Sequence, residues 1–270
     1  MIFRWDFVLN RLQCPFDEAH LACYSIEDAK GAVVICPGGG YSFLSDREGI
    51  PVANAFNQAG YHAFVLHYSV DSPPLGWRPL RELGWAVSAV RSGQTGIRDV
   101  KNVAVCGFSA GGHLAASLGV MWHRSDLFPP QADLNAQKPD AMILSYPVIT
   151  SDSTYAHKGS FEQLAGHDTD AFDSFSLEKQ VTIQTPPTFL WHTIADKTVP
   201  VQNSMRFFEE LLRCGVTSEL HLFPFGVHGL SLATPQVSQP ERNRFPDAHV
   251  AQWMPLAAQW LDAILYDQPD

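Results

Sequence analysis

No stretch of this sequence approaches the roughly 18 consecutive apolar residues that a membrane-crossing helix needs, so no such helix is expected. Positive charge is scarce: 18 Lys and Arg against 28 Asp and Glu leave a formal net charge of −10. Nucleic acids and anionic lipid surfaces are bound through basic faces, so neither is an expected partner. The five cysteines (Cys14, Cys23, Cys36, Cys106 and Cys214) are odd in number and form no CxxC pair. That pattern argues against a structural zinc and for a reducing compartment. Cys36 and Cys106 fall inside strand-like runs, where cysteine acts as a small hydrophobe. The first ten residues, MIFRWDFVLN, are interrupted by Arg4 and Asp6, so no signal-peptide core is expected there. Repeats, low-complexity tracts and linkers are also lacking. With 46% hydrophobic and 17% charged residues, the expectation is one soluble, cytoplasmic domain with a substantial core.

What the chain does have is alternation. Short apolar runs at 31–37, 61–69, 102–108, 140–148, 187–193 and 218–225 read as strands, mostly continuous rather than alternating, as buried parallel strands are. Amphipathic segments lie between them at 49–59, 80–92, 110–121 and 201–215, and a last one follows at 250–265. Trp253 and Trp260 share one face of that last segment and are expected to pack it onto a sheet. The pattern predicts an α/β fold around a mostly parallel sheet. Two segments break the rhythm: a Pro-rich loop at 69–79 and a polar excursion at 149–187, long enough to be a functional insertion.

Gly107-Phe108-Ser109-Ala110-Gly111 stands between a strand and a small-residue helix. G-x-S-x-G in that context is a nucleophile elbow, a sharp turn that exposes the serine while its glycines avoid clashes. An N-cap serine would not need both glycines. A serine hydroxyl needs a base, and the base needs a group to orient it. His228, between Gly226 and Gly229 after the strand at 218–223, is the expected base; His221 within that strand and His249 at the next helix are weaker candidates. Asp196, three residues beyond Thr193, is the expected acid, with Asp152 as the alternative after the preceding strand.

An acyl-transfer reaction also needs N–H donors for its developing oxyanion. Ala110, after the nucleophile, should supply one. The run VVICPGGGYSF at 33–43 offers Gly39 or Gly40 for the other. A phosphate role fits that run less well, because it lacks a GK[ST] ending and carries Phe43 where G-x-G-x-x-G requires glycine.

In this order, PGGGY, GFSAGGHLA, TPPTFLWHTIADKTVPVQNS and LHLFPFGVHGL resemble the α/β-hydrolase superfamily over nearly the whole chain. More narrowly, PGGGY, SAGGH and the segment from TPP to VPV are similar to small bacterial esterases grouped with acetyl xylan esterases and related to the hormone-sensitive lipase esterases. The resemblance implies an eight-stranded α/β-hydrolase sheet with helices on both faces, a Ser109–His228–Asp196 triad, and ester hydrolysis without a cofactor or metal. Pro37 stands where the lipase-like group usually has His, which points to the acetyl-esterase branch. The expected substrate is a short-chain acyl ester, an acetylated sugar in particular, with a broad-specificity carboxylesterase as the alternative. A prolyl-oligopeptidase-type peptidase would be expected to carry a large additional domain, and a non-catalytic binder to have lost a triad member. Ligands bind outside the carboxyl ends of the strands, so Tyr41, Tyr68 and Trp77 are expected to border the pocket. Pairing with a second copy of the chain stays open.

Overall fold

The computed structural model describes residues 11–15 and 17–266, so the decapeptide MIFRWDFVLN lies outside the described residues. Eight strands are found among them: β1 (Arg11–Gln13), β2 (His20–Tyr24), β3 (Ala32–Cys36), β4 (His62–His67), β5 (Val103–Phe108), β6 (Ala141–Ser145), β7 (Thr188–Thr193) and β8 (Ser218–Phe223). They form one sheet in the order β1-β2-β4-β3-β5-β6-β7-β8. β1 and β2 pair antiparallel, as do β2 and β4; every other pair is parallel. The α-helices are α1 (Ile50–Gln58), α2 (Arg78–Arg91), α3 (Ala110–Met121), α4 (Leu134–Gln137), α5 (Lys158–Ala165), α6 (Gln202–Arg213) and α7 (Trp253–Leu265).

The continuous apolar runs are explained by burial on both faces. Along β3, Val33 and Ile35 belong to the core on one face of the sheet, with Val52 and Phe56 of α1 and Trp253 and Leu261 of α7. Val34 and Cys36, which alternate with them, belong to the core on the other face, with Leu83 and Val87 of α2, Leu114 of α3 and Phe207 of α6. Helix α3 is buried along its whole length, so its sequence is apolar or small all round instead of amphipathic. Trp253 of α7 is fully buried and stacks on Trp191 of β7 at a centroid distance of 5.2 Å.

Two features go beyond the sequence pattern. β1 and β2 are a short antiparallel margin, and β1, with alternating exposed positions, carries no apolar run to reveal it. The 149–187 excursion holds α5 and two 3-10 turns, Asp170–Phe175 and Leu177–Gln180; α5 buries only Ser160, Phe161 and Leu164. Cys23, Cys36, Cys106 and Cys214 are free, and among the described residues no cluster of His, Cys, Asp or Glu is arranged to hold a metal. No helix among them is long and apolar enough to cross a membrane.

Candidate active site

β5 ends at Phe108 and the chain turns sharply into α3 through Ser109, whose φ is 55° and ψ −118°. That conformation costs a serine about 1–3 kcal/mol and persists only where its surroundings impose it. Here they do. The Ser109 N–H donates to the Ser145 carbonyl at 3.0 Å, and its carbonyl accepts from His113 N–H and Val148 N–H at the same distance. The flanking glycines are required by close approach. A Cβ on Gly107 would lie 2.1 Å from the Gly111 carbonyl oxygen, and one on Gly111 would lie 2.1 Å from that of Cys36.

The loops after β7 and β8 bring Asp196 and His228 to this serine. His228 Nε2 lies 2.8 Å from Ser109 Oγ, and Nδ1 lies 2.6 Å from Asp196 Oδ2. The other carboxylate oxygen of Asp196 accepts from the backbone N–H groups of Thr198 at 2.9 Å and Val199 at 3.0 Å. Buried His192 stands 3.4 Å from Oδ2. Burial alone would raise the Asp196 pKa, but hydrogen bonds from His192 and His228 outweigh it and hold the carboxyl well below the usual carboxylate range. A charged Asp196 fixes the proton of neutral His228 on Nδ1, which leaves Nε2 free to accept from the serine hydroxyl. The alternative residues lie elsewhere. Asp152 pairs with Arg206 at 3.0 Å, His221 with Glu219 at 2.5 Å, and the His249 ring rests edge-on against Phe223.

The glycine run folds over the elbow. A Cβ on Gly38 would touch Ser109 Cβ at 3.0 Å. Its carbonyl accepts from Ser45 N–H at 2.9 Å, and the Gly39 carbonyl accepts from Ser42 N–H at 3.0 Å. In a trans peptide the N–H points away from the carbonyl, so fixing these two carbonyls fixes the N–H groups of Gly39 and Gly40. Among the described residues, no group accepts from either of them or from the N–H of Ala110. Gly38 differs, because its N–H is taken by Glu48 Oε2 at 2.9 Å. Gly39 holds φ of +136°, and a Cβ there would collide with the Phe43 carbonyl oxygen at 1.9 Å. These residues open on a cavity of about 600 Å³, lined by Gly39, Gly40, Phe43, Ser109, His157 and His228.

The model of the prolyl oligopeptidase family matches residues 85–254, a span that contains Ser109, Asp196 and His228. The chain belongs to the prolyl oligopeptidase family. Two curated relatives of this family member carry carbohydrate-related names. Endo-1,4-beta-xylanase B of Butyrivibrio fibrisolvens is 40% identical over 211 residues, 76% of this chain and 33% of that protein. An acetylxylan esterase of Xylanibacter ruminicola is 30% identical over 228 residues, 80% of this chain and 45% of that protein. The chain thus spans between a third and a half of the length of these relatives. Among solved structures, an acetyl ester-xyloside bifunctional hydrolase from Caldicellulosiruptor lactoaceticus superposes with a TM-score of 0.77 at 35% identity, covering 93% of this chain and 89% of the other. The eight-stranded, mostly parallel sheet is that of the α/β-hydrolase superfamily, as in an alpha/beta hydrolase from a Medee basin deep-sea metagenome library, 31% identical with a TM-score of 0.75 and covering 95% of this chain and 97% of the other.

In this prolyl oligopeptidase family member the three aromatic residues expected at the pocket lie elsewhere. Tyr41 is 1% exposed and Tyr68 2%, so neither presents a surface to a substrate. The Tyr41 hydroxyl donates to His113 Nδ1, and that of Tyr68 donates to the Pro37 carbonyl at 2.5 Å. Both brace the glycine turn from beneath. Trp77 packs on Phe175 of the excursion with centroids 4.3 Å apart. Proximity in sequence to the strand ends pointed to the pocket, but the need to bury large rings prevailed. Sequence reasoning missed His157, which the excursion delivers to the cavity wall with Nδ1 2.8 Å from Ser160 Oγ. Burial, and after it the neighbouring His228, lower its pKa. The only signal for it was the length of a polar segment inside an otherwise regular α/β pattern.

Proposed function

We propose that this chain is a serine carboxylic-ester hydrolase that removes short acyl groups, acetyl foremost, from carbohydrates such as acetylated xylo-oligosaccharides. The observation that carries this reading is the unbroken chain Asp196–His228–Ser109, with contacts of 2.6 and 2.8 Å, opening on a cavity beside the glycine turn. The sugar half of the substrate is supported by the names of the relatives, two of which join xylan or xyloside to an acetyl ester.

In this mechanism Ser109 Oγ attacks the ester carbonyl carbon while its proton passes to His228 Nε2. The carbonyl oxygen becomes an oxyanion held by the N–H groups of Ala110 and of Gly39 or Gly40, each donor worth roughly 3 kcal/mol. His228 returns the proton to the leaving sugar oxygen, and the C–O bond breaks to give an acyl-serine. Water, deprotonated by the same nitrogen, then attacks the acyl carbon; Ser109 leaves with the proton and acetate is released. Asp196 keeps His228 in the required tautomer and stabilises its cation. No cofactor is called for at any step. The free thiols of Cys23, Cys36, Cys106 and Cys214 support work in a reducing compartment such as the cytoplasm.

The family model itself favours a second reading, cleavage of peptides, because the family is named for peptidases. Acetate release from acetylated xylo-oligosaccharides, measured beside p-nitrophenyl acetate and a prolyl p-nitroanilide, separates the two. The expected result is turnover of both esters, faster on the sugar, and none of the anilide, all of it abolished in Ser109→Ala. Equal turnover of sugar and simple acetate would remove the carbohydrate assignment, and full activity in Ser109→Ala would remove the mechanism.

A further inference from the structure

Glu48 lies in the 3-10 turn Asp46–Glu48 just before α1 and is 3% exposed. A carboxylate at that depth is costly unless both oxygens are matched by donors. Both are. Oε2 accepts from the Gly38 N–H at 2.9 Å, and Oε1 accepts from the Tyr146 hydroxyl at 2.6 Å. The Tyr146 oxygen in turn accepts from Ser231 N–H at 2.9 Å, and Ser231 Oγ donates to the Arg47 carbonyl at 2.7 Å. The Tyr146 ring stands edge-on to His228, centroids 5.0 Å apart.

These contacts join two parts of the site that are remote in sequence. The glycine turn comes from 38–40 and the histidine loop from 226–231, and each must be held at a fixed distance from Ser109. Tyr146 reaches between them from a backbone with φ of 38°, a strained conformation for a tyrosine. Arg47 adds a parallel tie: its Nε donates to the Val237 carbonyl at 2.6 Å and its Nη1 to the Gly229 carbonyl at 2.9 Å.

We infer that Glu48 is a positioning residue that sets the oxyanion turn and the His228 loop against each other, one carboxylate oxygen acting on each. Its hydrogen bonds go to neither Ser109 nor His228; it acts through Gly38 on one side and through Tyr146 and Ser231 on the other. A carboxylate is required because both partners donate to it. A glutamine offers one accepting oxygen; set on the Gly38 N–H, it leaves an NH2 group facing Tyr146, whose hydroxyl would have to turn from donor to acceptor. The inference rests on the reading of Ser109 and His228 as nucleophile and base.

The test measures the rate and the final stoichiometry of Ser109 labelling by a fluorophosphonate, together with kcat and KM on p-nitrophenyl acetate. For Glu48→Gln, labelling should reach one probe per chain but proceed roughly 10- to 100-fold more slowly, with kcat falling alike and KM within about twofold. Tyr146→Phe should reproduce the slowing, and the double variant should be no slower than the worse single one, as for groups acting as a unit. Labelling of Glu48→Gln at the parental rate would overturn the inference. So would partial stoichiometry at the parental rate, which is what a merely structural residue gives when part of the protein is unfolded. If Glu48→Gln does not fold, the same two outcomes in Tyr146→Phe decide. A parent that labels at Ser109 but hydrolyses no ester would defeat the proposed function and leave the labelling test in force. A parent that does not label would defeat both.

Discussion

The Tyr41 hydroxyl donates to His113 Nδ1 across 2.8 Å, and His113 Nε2 donates to the Phe175 carbonyl at 2.9 Å. This relay links the glycine turn, through the first turn of α3, to the excursion that supplies His157. Burial lowers the His113 pKa to about 4, so the ring is neutral at ordinary pH and has one donor and one acceptor for these two partners. Tyr41→Phe would leave this buried acceptor nitrogen with only the long contact to Ser117 Oγ, at 3.5 Å. The expected cost is about 1–3 kcal/mol in urea unfolding, with a drop in kcat as the turn loosens. Unchanged stability would show that the relay does not hold the turn.

Asp196 sets the tautomer of His228, so Asp196→Asn should be far more damaging than its small change in shape suggests. The amide can present its NH2 to Nδ1 and turn the ring's accepting nitrogen away from Ser109. The expected loss is about 10³- to 10⁴-fold in kcat with the fold retained, as read by ester turnover and circular dichroism. A loss below tenfold would mean that another group orients the ring.

Much of this site could be read in the sequence because each part obeys a local rule. Gly107 and Gly111 are present because backbone atoms of the elbow and of β3 leave no room for a Cβ, and that constraint survives as a motif. β3 and β5 to β7 are buried on both faces, so their runs are continuous. The parts that could not be read depend on distant partners. Tyr41 looked like a pocket residue beside PGGGY, and only the fold places His113 under it, 72 positions away in the chain. Glu48 stands in no motif; its partner Tyr146 is 98 residues downstream.

His157 faces the cavity close to Gly40. One ring nitrogen is tied to Ser160, and the other is free to meet a hydroxyl. His157→Ala should therefore raise KM for acetylated xylo-oligosaccharides roughly three- to tenfold, the worth of one hydrogen bond, and leave p-nitrophenyl acetate nearly unaffected. Equal effects on both substrates would place His157 in the shared acyl chemistry instead.

Glu82 of α2 gives the protein a pH-dependent stability of its own. It is fully buried, its carboxylate accepts from Ser69 N–H at 2.8 Å and also from the Ser69 hydroxyl, and burial pushes its pKa up to about 7 against those bonds. The folded protein therefore holds this proton more tightly than the unfolded chain, whose value is 4.5. The favourable contribution is complete below that value, shrinks as pH rises, and is gone above about 7. Its full size is on the order of 3 kcal/mol. Asp196 and His113 carry the opposite sign, since their pKa values are lowered and their contributions are lost as pH falls. Comparing the parent with Glu82→Gln cancels both. Urea midpoints measured from pH 5 to pH 8 should show the variant gaining on the parent steadily as pH rises, with most of the gain between 5 and 7. A difference that stays flat across that range would show that the Glu82 carboxyl ionises as easily in the fold as in water.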